Sequence, residues 1–313
     1  MDNSSAKISV LIFTYKQEQL IGRALESVLD QKESGLFQVV VCDDCSPDGT
    51  WNVIQRYKEL YPDIIVAHRN SENKGIYGNV AIGLDIVRRS DTDLLIQCAG
   101  DDSICPGYLK AAQEFIKQNT IDTNGSYVIY SDYKIVWKDG RESVVENSAL
   151  VKYPQRTAVS LRMARLLSLA GSMVSKKCLD RYDSFPTDKG VSMAEEFCDI
   201  QQTMRADKNY YLPHVGYAHY MDIGVSTKMG TKKDRIERIE AWNAILNYAE
   251  MDSRARHRVL HDINRLEFSN HKSISAFVKT WWHYFLSGAN IQLRYAVRES
   301  IYMLFTKYNN IVC

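Results

Sequence analysis

The sequence predicts an α/β protein: a doubly wound, mostly parallel sheet with a helical C-terminal extension. Three observations predict it. The first 120 residues alternate short continuous apolar runs with stretches of helical periodicity; acidic or polar clusters follow those runs; and from about Thr231 no strand-like run of any length remains. Strands that are apolar on both sides belong to sheets covered by helices on both faces. Right-handed crossovers then wind the sheet in two directions, and ligands bind beyond the carboxyl ends of its strands.

Each element follows from its local pattern. Ile8 to Phe13 reads as a buried strand, and Leu20, Ile21, Ala24, Leu25, Val28 and Leu29 recur at helical spacing. A strand at residues 38–42, a helix from about Asp48 to Tyr61, a strand at 64–68, a helix from about Gly78 to Arg89 and a strand at 94–98 continue the alternation. Pro106 then opens another helix, as proline suits a first helical turn. Residues 127–137 read as a long strand entering a turn at Lys138-Asp139-Gly140, and 142–158 as irregular. A helix is expected over Leu161–Leu169, a short strand over Gly171–Val174, a helix over Glu195–Ala206 and an extended segment over Tyr210–Tyr220.

Composition excludes several classes. The chain has 313 residues, 45% hydrophobic and 25% charged, enough for a sizeable core and unlike a disordered or fibrous chain. Its 39 Lys+Arg against 38 Asp+Glu argue against a basic nucleic-acid binder. Seven cysteines, an odd number without a small-domain framework, suit reduced thiols and a cytoplasmic setting. No signal peptide or transmembrane run is visible. Cys42-x-x-Cys45 has no second metal-ligand pair at finger spacing and reads as strand-end packing.

The residues just past the strands carry the chemistry. They are Thr14-Tyr15, Asp43-Asp44, the 70–79 loop and Gly100-Asp101-Asp102, with two acidic pairs meeting on one rim. Ser9 to Tyr15, Val41-Cys42-Asp43-Asp44-Cys45-Ser46-Pro47-Asp48-Gly49-Thr50, Asn73-Lys74-Gly75 with Asn79, and Ala99-Gly100-Asp101-Asp102 with Pro106 resemble, in order, the motifs of family 2 glycosyltransferases. The resemblance covers residues 8 to about 118 well and weakens to about 226. It implies a GT-A fold, with 1–226 as the catalytic domain (1–120 for the nucleotide sugar, 121–226 for the acceptor) and 227–313 as the extension. It also implies inverting, metal-dependent transfer from a nucleotide sugar, UDP- or dTDP-linked, in synthesis of a bacterial surface polysaccharide or lipopolysaccharide.

By that resemblance Thr14, Tyr15, Asp43, Asp44, Asn73, Lys74, Gly75, Asn79 and Asp101 bind the donor, with Asp43 on the base and Tyr15 packed on its face. Hard carboxylate oxygens suit Mn²⁺ or Mg²⁺ at a diphosphate. Asp102 is the expected metal ligand, with Asp101 on the metal or the ribose; Ala99 stands where the family often has a further Asp, which leaves the division between the two open. Lys74 and Arg69 stay open between phosphate contact and surface charge. Glu196, at the start of a helix, is the expected general base and Glu195 its alternative. His219 is a candidate contact to the leaving group, and Gly171-Ser172-Met173 are placed at the acceptor pocket. A sugar nucleotidyltransferase lacks support because its glycine-rich phosphate loop is absent, while a non-catalytic sugar-binding assembly subunit stays an alternative.

Residues 254–313 hold nine Lys+Arg against three Asp+Glu, interleaved with ten aromatics. Two readings stay open for this tail: contact with an anionic membrane surface, or packing on protein, including a homodimer partner. A glycan or lipid-linked glycan acceptor would give a cytoplasmic enzyme a reason to sit on the inner face of the cell membrane. Which sugar, hydroxyl and acceptor are used is not legible.

Overall fold

A computed structural model describes residues 5–163, 166–181, 203–221, 232–248, 251–270 and 274–286. The first half runs β1 (Ile8–Thr14), α1 (Ile21–Leu29), β2 (Leu36–Asp43), α2 (Thr50–Leu60), β3 (Ile65–Arg69), α3 (Gly75–Arg88), β4 (Leu94–Ala99), β5 (Ser103–Ile104) and α4 (Tyr108–Gln118). The second half runs β6 (Tyr127–Val136), β7 (Glu142–Val145), α5 (Ala149–Lys152), α6 (Ala158–Met163), β8 (Met173–Ser175), α7 (Lys176–Leu179) and β9 (Lys208–Tyr220). Three helices follow: α8 (Lys232–Tyr248), α9 (Ser253–Asn270) and α10 (Ile274–Leu286).

Nine strands form one sheet in the order β3-β2-β1-β4-β8-β6-β9-β5, with β7 paired to β6. β3, β2, β1 and β4 are mutually parallel. β8 turns antiparallel against β4 and β6, while β9 runs parallel to β6 and antiparallel to β5. The sheet is therefore mixed, parallel in its first half. Alternation within each strand sorts the core into two layers. Val10, Ile12, Val39, Val41 and Ile96 face α1, α2 and α4; Leu11, Val40, Leu95, Val128 and Tyr130 face α3, α5, α6 and α7. Both faces are dry, so the strands read as continuous apolar runs.

Two local expectations are corrected. The stretch after Gly140 is a hairpin, with β7 pairing Glu142–Val145 against Val136–Tyr133, and α5 follows it. Short, exposed strands lack the apolar run that reveals the longer ones. The helix expected over 161–169 starts earlier and ends at Met163; Leu166 N–H returns to the Leu161 carbonyl, and residues 167–169 are irregular.

The C-terminal helices pack on α6 through a third cluster of Val159, Met163, Trp242, Ile245, Ala255, Val259 and Ile263. Arg156 grips Asp252 with two nitrogens at 2.7 and 3.1 Å, and Ser160 Oγ accepts from Asp252 N–H. The aromatics of these helices divide: Trp242 and Tyr284 are buried, whereas Trp282 is 63% exposed.

Candidate functional site

Strand register assembles the site. Thr14 pairs with Asp43 and Asp43 with Arg69, so the ends of β1, β2 and β3 stand abreast. Gly100 follows β4 one step behind, its N–H on the Phe13 carbonyl. A Cβ at Gly100 would lie 2.5 Å from Gln17 Oε1 and 2.9 Å from Thr14 Cβ, so only glycine lets the β4 end close on β1. Lys16 and Cys45 hold positive φ, 57° and 56°, on facing loops joined by Lys16 N–H to Ser46 Oγ. Such conformations in non-glycine residues concentrate at functional rims.

At the end of β2 both carboxylates are enclosed. Asp43 has no exposed surface; it accepts from Ser46 N–H at 3.1 Å and pairs with Arg69 Nε at 3.2 Å. Burial pushes its carboxyl upward, and the Ser46 bonds and the Arg69 charge oppose that push. Arg69 also donates to the Ser46 carbonyl and lies over the Trp51 ring at 5.7 Å. Its side chain keeps 40% exposure, so the β2 end presents a guanidinium rather than the Asp43 carboxylate.

Asp44 is equally committed. Its Oδ1 accepts from Asn70 Nδ2 at 2.8 Å and from Lys74 N–H at 2.7 Å, while its own N–H donates to the Thr14 carbonyl. Asn70 also donates to Asn79 Oδ1, and Asn79 Nδ2 donates to the Cys42 carbonyl at 2.9 Å. Thr14, Asp44, Asn70 and Asn79 are all buried. They frame the site, with little exposed surface of their own. Asn73 Oδ1 accepts from Gly75 N–H, and Gly75, at φ 74°, has open space where a Cβ would stand. The Lys74 ammonium pairs with Glu72 on the surface. Tyr15 is exposed, with the Lys16 ammonium 5.1 Å over its ring.

At the end of β4 the two carboxylates differ. Asp102 is buried; Oδ2 accepts from Tyr217 Oη at 2.6 Å and meets His219 Nδ1 at 3.1 Å, and Oδ1 accepts from Tyr220 N–H at 2.8 Å. Both oxygens of the residue expected first as the metal ligand thus have protein partners, Oδ1 with one and Oδ2 with two. Asp101 is the less buried of the pair. Burial and the neighbouring Asp102 charge push its carboxyl upward, with Gln17 and His219 opposing. A carboxylate raised in this way gains from a cation placed beside it. Among the described residues no three His, Cys, Asp or Glu side chains converge as a cage. An ion that binds through one or two carboxylates and its ligand's own phosphates does not need one, so the donor set fits such an ion.

The remaining expectations fall in three groups. Glu195 and Glu196 lie outside the described residues. His219 does reach the rim, though through Asp102. Met173 is in the core, Ser172 is buried, and Tyr108 Oη donates to the Gly171 carbonyl. The expectations omitted Tyr217, whose hydroxyl also accepts from Ala99 N–H, and Arg23, whose guanidinium lies 3.6 Å from the Tyr220 ring centroid. The alternation Tyr217-x-His219 on one strand face was the available signal for the first. Among the described residues five cysteines are free thiols, Cys42 and Cys98 deep in the sheet.

Comparisons with known proteins agree with this architecture. Staphylococcus aureus TarS, named a poly(ribitol-phosphate) β-N-acetylglucosaminyltransferase, is 31% identical over 118 residues, which are 37% of this chain and 20% of that protein. EpsE of Bacillus subtilis is 28% identical over 117 residues, 37% of this chain and 41% of its own. The chain therefore matches less than half the length of either relative. In structure, TarS 1–349 in complex with UDP-GlcNAc gives a TM-score of 0.60 at 20% identity, covering 88% of this chain and 79% of that one. The mannosyltransferase PcManGT of Pyrobaculum calidifontis, in complex with GDP-Man and Mn²⁺, gives 0.56 at 16%, covering 97% and 86%. These likenesses establish the GT-A fold. The glycosyl transferase family 2 profile matches residues 9–174, more than half of the chain. On that match the chain belongs to family 2 of the glycosyltransferases.

Proposed function

We propose that the protein is a metal-dependent, inverting glycosyltransferase acting on a UDP- or dTDP-sugar, with residues 1–226 as its catalytic domain and 227–313 as an extension. The observation that carries this reading is the unequal pair at the end of β4: a partly buried Asp101 beside an Asp102 bonded to Tyr217, His219 and Tyr220. A divalent cation held by Asp101, when bound, would neutralise the diphosphate as it leaves. Arg69, anchored by Asp43, offers donors to the carbonyl edge of a pyrimidine, and Tyr15 offers an aromatic face. The UDP-GlcNAc complex of the structural neighbour supports a uridine nucleotide. His219, bonded to Asp102, is the candidate contact to the leaving diphosphate.

Glu196 takes the proton of the acceptor hydroxyl, with Glu195 as its alternative. The hydroxyl oxygen bonds to the anomeric carbon from the face opposite the diphosphate, whose C–O bond breaks and carries the electron pair away. The acceptor is a hydroxyl of a glycan, lipid-linked glycan or related surface polymer. Two curated relatives named for poly(ribitol-phosphate) support a polymeric acceptor. A lipid-linked acceptor would place the work at a membrane face. Among the described residues no helix is long and apolar enough to cross a membrane. Exposed Val278, Trp282 and Leu286 instead recur every four residues along one side of α10, beside exposed Lys279, as in helices that lie in an interface. Vesicle flotation that is unchanged by removing 274–313 would refute membrane contact.

The enzymatic reading is tested with a panel of nucleotide sugars, scoring release of nucleoside diphosphate. One donor should be consumed in preference, and Glu196→Gln should bind it while losing turnover. A panel in which no donor is bound or consumed would leave the assembly-subunit alternative.

A further inference from the structure

We infer that the polar side of α1 is the device that positions the Asp101 carboxylate, with Arg23 as its principal positioning residue. The inference deepens the donor-site reading and rests on it. Arg23, Ser27 and Gln31 are spaced four residues apart, so they stack on one side of α1 and its terminal turn. Each grips a successive point of the segment that follows β4. Arg23 Nη2 donates to the Asp101 carbonyl. Ser27 Oγ accepts from Ile104 N–H at 3.1 Å. Gln31 Nε2 donates to the Cys105 carbonyl at 3.1 Å, and its Oε1 accepts from Leu109 N–H at 3.1 Å. Four backbone groups between residues 101 and 109 are thus pinned to a helix whose opposite side is locked in the core by Ile21, Ala24, Leu25 and Val28.

Arg23 does more than the other two. Its guanidinium stacks on the Tyr220 ring, and Tyr220 N–H is bonded to Asp102. One side chain therefore ties the Asp101 main chain to the end of β9, closing a ring around both carboxylates. Its Nε is buried without a hydrogen-bond partner, a desolvation cost that a merely convenient surface clamp would avoid. The planar fork both donates along its edge and stacks through its face, which an ammonium cannot do.

The test is titration of UDP, with and without Mn²⁺, into wild type, Arg23→Ala, Arg23→Lys and Ser27→Ala, alongside thermal unfolding and amide exchange at residues 102–104. Arg23→Ala and Arg23→Lys should weaken Mn²⁺-dependent UDP binding by about ten-fold, the size of one charge-assisted contact, and speed exchange at 102–104. Metal-free UDP binding should stay within about two-fold, and Ser27→Ala should have the smaller effect on both readouts. If Arg23→Ala unfolds, Arg23→Lys carries the measurement, since it preserves charge and length. Wild-type affinity in the Lys variant, or equal loss of metal-free and metal-dependent binding, overturns the positioning role. Absence of Mn²⁺-dependent binding in wild type overturns the donor-site reading itself, and normal exchange at 102–104 in the Arg23 variants would then reject the clamp independently.

Discussion

The two Asp-Asp dipeptides at the ends of β2 and β4 look alike in sequence and differ in what surrounds them. At β2, Asp43 and Asp44 are both buried and both answered by the fold, through Arg69, Ser46, Asn70 and the Lys74 amide. At β4, Asp102 is answered by Tyr217, His219 and Tyr220, and Asp101 less fully, by Gln17 and the His219 charge. Asp101 is left partly exposed with its charge disfavoured by burial and by its neighbour. Equivalent positions thus divide into a closed frame and an open charge. The lesson is that a paired carboxylate motif identifies a rim, while the surrounding donors decide which oxygen remains for a ligand.

The sharpest break of that comparison is Asp101→Asn. It should lower transfer by roughly 10²–10³-fold, the scale of losing a key electrostatic contact at a leaving group, without lowering the melting temperature. A steady-state assay paired with a thermal melt checks both halves. Asp102→Ala should do the reverse first. Three hydrogen-bond partners lose their acceptor, costing about 2–4 kcal/mol and roughly 5–10 °C in Tm, and activity falls with the disordered turn. A melt indistinguishable from wild type would show that Asp102 is not a frame residue. Asn70→Ala probes the β2 frame; it should cost about 1–3 kcal/mol because Asp44 and Asn79 each lose a partner. Denaturant titration measures it.

A smaller effect, far from both rims, provides the control. His261 and His283 lie between α9 and α10, and burial lowers both below the ordinary histidine value of 6.5. The unfolded chain then binds protons first as pH falls. Stability is held above about pH 6.5 and declines as pH drops through the lowered folded values. Melts at pH 7.5 and 5.5 should show this decline, and His283→Asn should reduce it.

Much of this was legible in the sequence, for identifiable reasons. β1 to β4 are buried on both faces, so their runs were continuous and their ends could be located within a residue or two. The rim was found because ligands gather beyond strand ends. What escaped depended on long-range partners. Nothing local to Asp102 announces Tyr217, more than a hundred residues away, so the difference between the two members of the pair is not legible locally. Arg23, Ser27 and Gln31 were overlooked because α1 was identified by its apolar side alone. β7 and α5 were too short and exposed to leave a pattern, and the roles of Glu195 and Glu196 rest on motif resemblance.

The central claim is that Asp101 is the carboxylate through which the rim holds a cation and a nucleoside diphosphate. Calorimetric titration of UDP into wild type and Asp101→Asn, each with and without Mn²⁺, tests it most directly. The account predicts Mn²⁺-dependent binding in wild type that Asp101→Asn abolishes, with metal-free nucleotide binding retained. Equal Mn²⁺-dependent binding by the two proteins would contradict it.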